Sequence, residues 1–146
     1  MSKNVEVIGI EEIEKVLDEL LPKHARNLSR SFVHGLASEV AKESKKRVPT
    51  DTGNLKKSIK AKRKRSKPET PVSEVIVTTG KNAKNDGFYW RFVEYGTGGP
   101  VPQSERPFLR PARDYITAHM KEIADNVFTK KLAALVKREK KKADKK

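Results

Sequence analysis

A chain of 146 residues, 35% hydrophobic and 36% charged, can close one domain's core and still carry a large solvated or partner-facing surface. The formal net charge of +14 points to nucleic acid, an acidic protein surface or an acidic membrane as partner, and the absence of cysteine excludes disulfide and thiolate chemistry. No apolar run approaches the length of a bilayer span, and the opening MSKNVEVIGIEE lacks the apolar stretch of a signal peptide, so a soluble intracellular product is expected.

The charge is uneven. Residues 1–21 hold six acids against two lysines, a net of −4 that leaves +18 for the rest, and such an acidic head on a basic body is polar enough to stack on a copy of itself. Val5, Val7, Ile8 and Ile10 suggest a short strand. EEIEKVLDELLP then reads as a short helix, with Ile13, Val16, Leu17, Leu20 and Leu21 on one face and Glu11 and Glu12 in the first turn, ended by Pro22. A second helix follows from about Lys23 to Arg47, striped by Ala25, Leu28, Phe32, Leu36 and Val40, and Val48-Pro49 stops it.

PTDTGNL is a tight turn, in which Asp51 accepts from backbone amides and Gly53 supplies a positive φ. LKKSIKAKRKRSKP is expected as a strand, with Lys56, Ser58, Lys60, Lys62 and Lys64 on one face and Leu55, Ile59 and Ala61 on the other. SEVIVTT, rich in β-branched residues, is its partner across an exposed connection, and GKNAKNDG is a second polar loop. FYWRFVEYGTGGPVPQSERPFLRPAR gathers six of the nine aromatic residues. Read as a helix it places Phe88, Phe92 and Tyr95 on one face, which is expected to be core. From Pro111 one long helix is predicted, with Ala112, Ile116, Met120, Ile123 and Val127 aligned. Phe128, Leu132 and Leu135 drift from that line, so the later part of the helix is free to pack on something other than its own domain. The single domain is expected over residues 1–135, and 136–146 as a basic, disordered tail. The fold class is α+β: a small antiparallel β-sheet packed against two long α-helices plus a short N-terminal helix.

Catalytic and metal patterns are weak. His24 and His34 are ten residues apart on one helix and out of register as ligands, and His119 stands alone. GTGGP lacks the Gly-Lys-Ser/Thr ending of a phosphate-binding loop. The serines sit in no nucleophile context. A nuclease with Asp51 and Glu94 as metal ligands rests on two acids far apart in sequence. No catalytic residue, metal or cofactor is therefore expected, and the protein is not expected to be an enzyme. From Leu55 to Pro68 there are eight basic residues and no acid. Three readings stay open for them: lysines guarding a sheet edge, a face laid along phosphates, or strands lining a lumen through which DNA passes.

Three blocks in order, PTDTGNLKKS at Pro49–Ser58, YWRFVEYGT at Tyr89–Thr97 and PFLRPA at Pro107–Ala112, resemble the tail-completion or head–tail joining (neck) proteins of long-tailed bacteriophages and prophages. The similarity covers about residues 1–130. Trp90 departs from it, standing where a small residue is common. The resemblance makes Asp51, Thr52, Gly53, Leu55, Tyr89, Phe92, Val93, Glu94, Tyr95, Gly96, Thr97, Pro107, Phe108, Leu109 and Pro111 a structural framework. Tyr89, Phe92, Val93, Tyr95 and Phe108 would anchor the domain, Glu94, Gly96 and Thr97 would set a sharp exit into a loop reaching a neighbour, and Pro107 and Pro111 would fix the last helix. It implies a virion protein made in the host bacterial cytoplasm, forming a hexameric ring with itself between the tail tube or tail terminator and the head connector or stopper. Lys56, Lys60, Lys62 and Lys64 would face DNA in the lumen, and no membrane is involved. The alternative is a small basic ribosome- or DNA-associated protein.

Overall fold

The computed structural model describes residues 10–49 and 53–145, with side chains described from Leu21 onward; the strand expected around Val5 and Val7, and Asp51 and Thr52 of the turn, lie outside them. In chain order the elements are α1 (Ile10–Arg47), α2 (Asn54–Ser58), β1 (Ile59–Lys64), β2 (Val72–Val77), α3 (Trp90–Tyr95), α4 (Leu109–Ala118) and α5 (Met120–Ala143). The fold is α+β, a two-stranded antiparallel sheet packed against long helices.

Two helix boundaries differ from the sequence reading. The short N-terminal helix and the one after it are a single element, because α1 runs through Pro22. Proline forfeits one backbone hydrogen bond, yet strong helix formers flank it on both sides and Pro22 is exposed, so the helix propagates across it. The predicted single C-terminal helix is instead broken at His119, whose φ of −108° and ψ of 22° leave the helical region. On either side of the break Ala112, Ile116 and Val127, expected in line, are all buried, whereas Met120 beside it is exposed. α5 stays helical to Ala143, through residues expected to be disordered, with Lys140, Lys141 and Lys142 at its C-terminal end, where the helix dipole favours cations.

Residues 54–58, expected as strand, form one helical turn. Gly53 enters it at φ 75°, as its turn role requires, and Leu55 and Ser58, three apart, are both buried. The chain then becomes extended. β1 pairs with β2 in the register Ile59↔Val77, Ala61↔Val75 and Arg63↔Ser73 on one face, and Lys60↔Ile76, Lys62↔Glu74 and Lys64↔Val72 on the other. Ala41, Val48, Leu55, Ile59 and Phe108 form the central cluster, and Ala61, Val75, Val77, Trp90 and Leu109 pack against it. The core thus sits at the C-terminal third of α1. Further up α1, α5 comes close because of Gly35: a Cβ there would lie 2.5 Å from Val127 Cγ1. Phe32 and Phe128 meet edge to face with centroids 6.0 Å apart.

A carboxylate clamp and an aromatic rim as the candidate docking site

Two polar ties deliver the chain from the sheet to α3. Asp86 Oδ1 accepts from the backbone N–H groups of Gly80 and Phe88, closing the loop after β2. The Gly87 N–H donates to Thr78 O at 3.0 Å, and Trp90 N–H donates to Gly87 O at 2.9 Å. α3 then turns Tyr89, Trp90 and Val93 toward the core. Phe88, Phe92 and Tyr95 face outward, 66%, 52% and 59% exposed. The expected grouping is inverted here. Phe92 and Tyr95 are rim residues rather than anchors, and Phe108, fully buried, is the deep aromatic anchor.

Glu94 explains the orientation of α3. Its side chain is completely buried. Oε2 accepts from the backbone N–H groups of Phe108 at 2.7 Å and Leu109 at 2.9 Å, and Oε1 accepts from Arg110 N–H at 2.9 Å and Arg110 Nε at 3.1 Å. A helix N-terminus leaves its first N–H groups without intrahelical partners, and a carboxylate there also meets the favourable end of the dipole. Glu94 supplies that partner from fourteen residues upstream of Phe108. Pro111, the third residue of α4, has no N–H to leave unmet. Burial by itself would raise the Glu94 pKa, but the N–H groups of Leu109, Phe108 and Arg110 and the Arg110 side chain outweigh it and hold the carboxyl below its ordinary range. Arg110 also donates to Glu94 O at 2.7 Å and Glu105 Oε2 at 3.1 Å, and lies 4.9 Å from the Tyr95 ring centroid. This clamp is the feature that sequence reading missed. Its signal was a glutamate in an aromatic helix followed, past a loop, by a proline-flanked helix start.

The exit from α3 is as sharp as expected. Gly96 adopts φ 72°, and a Cβ on it would stand 2.7 Å from Gln103 O. Thr97 N–H donates to Gln103 O at 3.1 Å, Gln103 N–H donates to Thr97 Oγ1 at 2.9 Å, and Arg106 N–H donates to Val93 O at 2.8 Å. Gly98, Gly99 and Pro100 lie in the loop so closed, and Val101 is 84% exposed at its tip. Between loop and α3 runs an open groove of about 420 Å³, lined by Tyr89, Phe92, Val93, Val101, Gln103 and Arg106 among others.

The basic residues lie elsewhere. Lys60, Lys62 and Lys64 are exposed on the outward face of the hairpin, Lys56 is exposed on α2, and none of them lines the groove. Glu74 stands 3.9 Å from Lys64. Among the described residues no cluster of three or more His, Cys, Asp or Glu could hold a metal ion, and the Glu94 carboxylate is committed to N–H donors. No described helix is long and apolar enough to cross a membrane.

The chain is thus a small α+β module that presents an exposed aromatic rim on a segment tied down by a buried carboxylate. The family model described as "Bacteriophage HK97-gp10, putative tail-component" matches residues 11–96, from the first turn of α1 to the glycine that ends α3, and the chain belongs to that family. No curated protein and no solved structure matches it. It is a bacteriophage tail component, with a structural role in the virion alongside other phage structural proteins.

Proposed function

We propose that the protein acts at the head–tail junction, completing the tail and forming a ring, hexameric in the assembled particle, that joins the tail tube to the head connector. It works by surface fit and not by turnover. The observation that carries this reading is the set of Phe88, Phe92, Tyr95 and Val101, four large side chains each more than half exposed, along a segment that Glu94 and Gly96 hold in place, with Phe92 and Val101 lining one groove. Exposed aromatics on a rigid frame are the usual anchors of protein interfaces, because little entropy is lost on docking. A second reading, a small basic nucleic-acid-binding protein, draws on the outward lysines of β1; in the proposed ring those lysines would face DNA in the lumen.

Complementation tests the proposal. A phage lacking this gene is supplied with wild-type protein or with the double variant Phe92→Ala, Tyr95→Ala. The expected result is that the null and the double variant accumulate DNA-filled heads and separate tails, whereas wild type yields infectious particles. Normal joining in the null would overturn the proposal, as would substrate turnover by the purified chain.

A further inference from the structure

α1 is much longer than the helix packed along it. Phe32 meets Phe128, Gly35 lies against Val127, and His24 is close enough to Glu139 to act on its charge. α5 therefore runs antiparallel to α1, and its end at Ala143 comes level with about residue 20 of α1. The helix from Ile10 to that point runs past the end of α5, an overhang of about 15 Å at the usual rise per residue. By sequence this arm carries Glu11, Glu12, Glu14, Asp18 and Glu19 against Lys15, with Ile13, Leu17 and Leu20 at helical spacing.

The far half of α5 is its complement. Phe128, Leu132 and Val136, four residues apart in turn, are 42%, 40% and 46% exposed. Leu132 and Val136 border an open trough of about 690 Å³ whose described lining comes from α5 and the Asp144 that follows it, and Lys137, Lys140 and Lys141 stand along it. Phe128 turns part of its ring against Phe32, but Leu132 and Val136 beyond it stay about half in water, which leaves an unfinished packing face. Residues 130–145 carry eight basic side chains against two acids, opposite in sign to the arm. Because α1 is one continuous helix, a chain does not fold its own arm back onto its own trough.

We propose that a second copy of this chain fills the trough: the acidic α1 arm of one copy lies along the Phe128–Leu132–Val136 stripe of the next, its carboxylates beside Lys137, Lys140 and Lys141. The mode is an amphipathic helix in a groove, with charge choosing partner and polarity. Such a contact uses two different surfaces, so it propagates from copy to copy and closes when the rotation allows. The setting rests on the tail-component reading; the contact itself is testable without it.

The full-length chain is followed by sedimentation over a range of concentrations at low and physiological salt. Three forms are compared: wild type, an arm variant (Glu11→Lys, Glu12→Lys, Glu14→Lys) and a rim variant (Lys137→Glu, Lys140→Glu, Lys141→Glu). Wild type is expected to gain mass with concentration, and each variant alone to associate about tenfold more weakly or worse. Mixing the two variants is expected to restore association, because a Lys arm then meets a Glu rim and a Glu arm meets a Lys rim. Recovery on mixing also shows that both variants are folded. Val136→Glu is expected to weaken association in every mixture. A wild type that stays monomeric at every concentration overturns the inference, and so does a mixture that fails to associate. Self-association that behaves as expected, in a protein that fails the complementation test, would remove the functional reading and leave this contact standing.

Discussion

At the scale of single residues, Glu94 matters more than any aromatic beside it. A fully buried carboxylate is costly unless its lone pairs are occupied, and here N–H donors occupy them. Removing it leaves the N–H groups of Phe108 and Leu109 buried and unmet, and a glutamine would turn an amide against donors. Glu94→Ala and Glu94→Gln are each expected to lower unfolding free energy by about 3 kcal/mol in urea titrations near neutral pH. The pH dependence has a definite sign. Because the folded pKa is lowered, the stabilisation is complete above the unfolded carboxyl range and is lost as pH falls through the folded value. Wild type should therefore lose stability on acidification more steeply than Glu94→Gln, and parallel profiles would refute the clamp. Gly96 acts with Glu94, since its positive φ and the nearness of Gln103 O leave no space for a side chain.

At the scale of elements, Gly35 sets two effects against each other. Alanine in mid-helix gains about 1 kcal/mol of propensity over glycine. Its Cβ would press on Val127 Cγ1 at 2.5 Å, and overpacking costs about 1–3 kcal/mol. Gly35→Ala is expected to lower the thermal midpoint, and adding Val127→Ala to return much of the loss; independent effects of the two changes would deny the close approach of α1 and α5. The elements were legible in the sequence where one periodicity ruled. The alternation of Ile59, Lys60, Ala61 and Lys62 gave β1 its faces, and the β-branched run gave β2. Legibility failed where a local rule met a stronger neighbour. Pro22 yielded to the helix formers around it, and Leu55–Ser58 took helical spacing ahead of a strand. Of the candidate site, the sharp exit at Gly96 was readable, but the direction of α3 was not. Hydrophobicity favoured burying Phe92 and Tyr95, while the distant N-terminus of α4 required Glu94 inside. A contact spanning fourteen residues leaves no periodic trace in a single sequence.

At the scale of the whole molecule, charge separates the two functional readings. A net charge of +14 will draw the protein to any polyphosphate at low salt. In filter binding, duplex DNA is expected to be held at about 50 mM salt and largely released by about 200 mM, with Lys60→Glu, Lys62→Glu, Lys64→Glu flattening the slope. Tight binding that persists at physiological salt would favour the nucleic-acid reading. The core lies at the C-terminal third of α1 and the overhanging N-terminal part of the helix at the other end, and the family match covers both stretches of α1 before ending at Gly96. The last two helices lie beyond that match, yet the residue that caps the first of them, Glu94, lies inside it. The two roots of the intervening loop are stitched together at Val93–Arg106 and Thr97–Gln103. The stretch between the stitches can therefore be rewritten without tilting α4, and a lineage could give this tail component a new outer face by editing a few codons while its scaffold stays untouched.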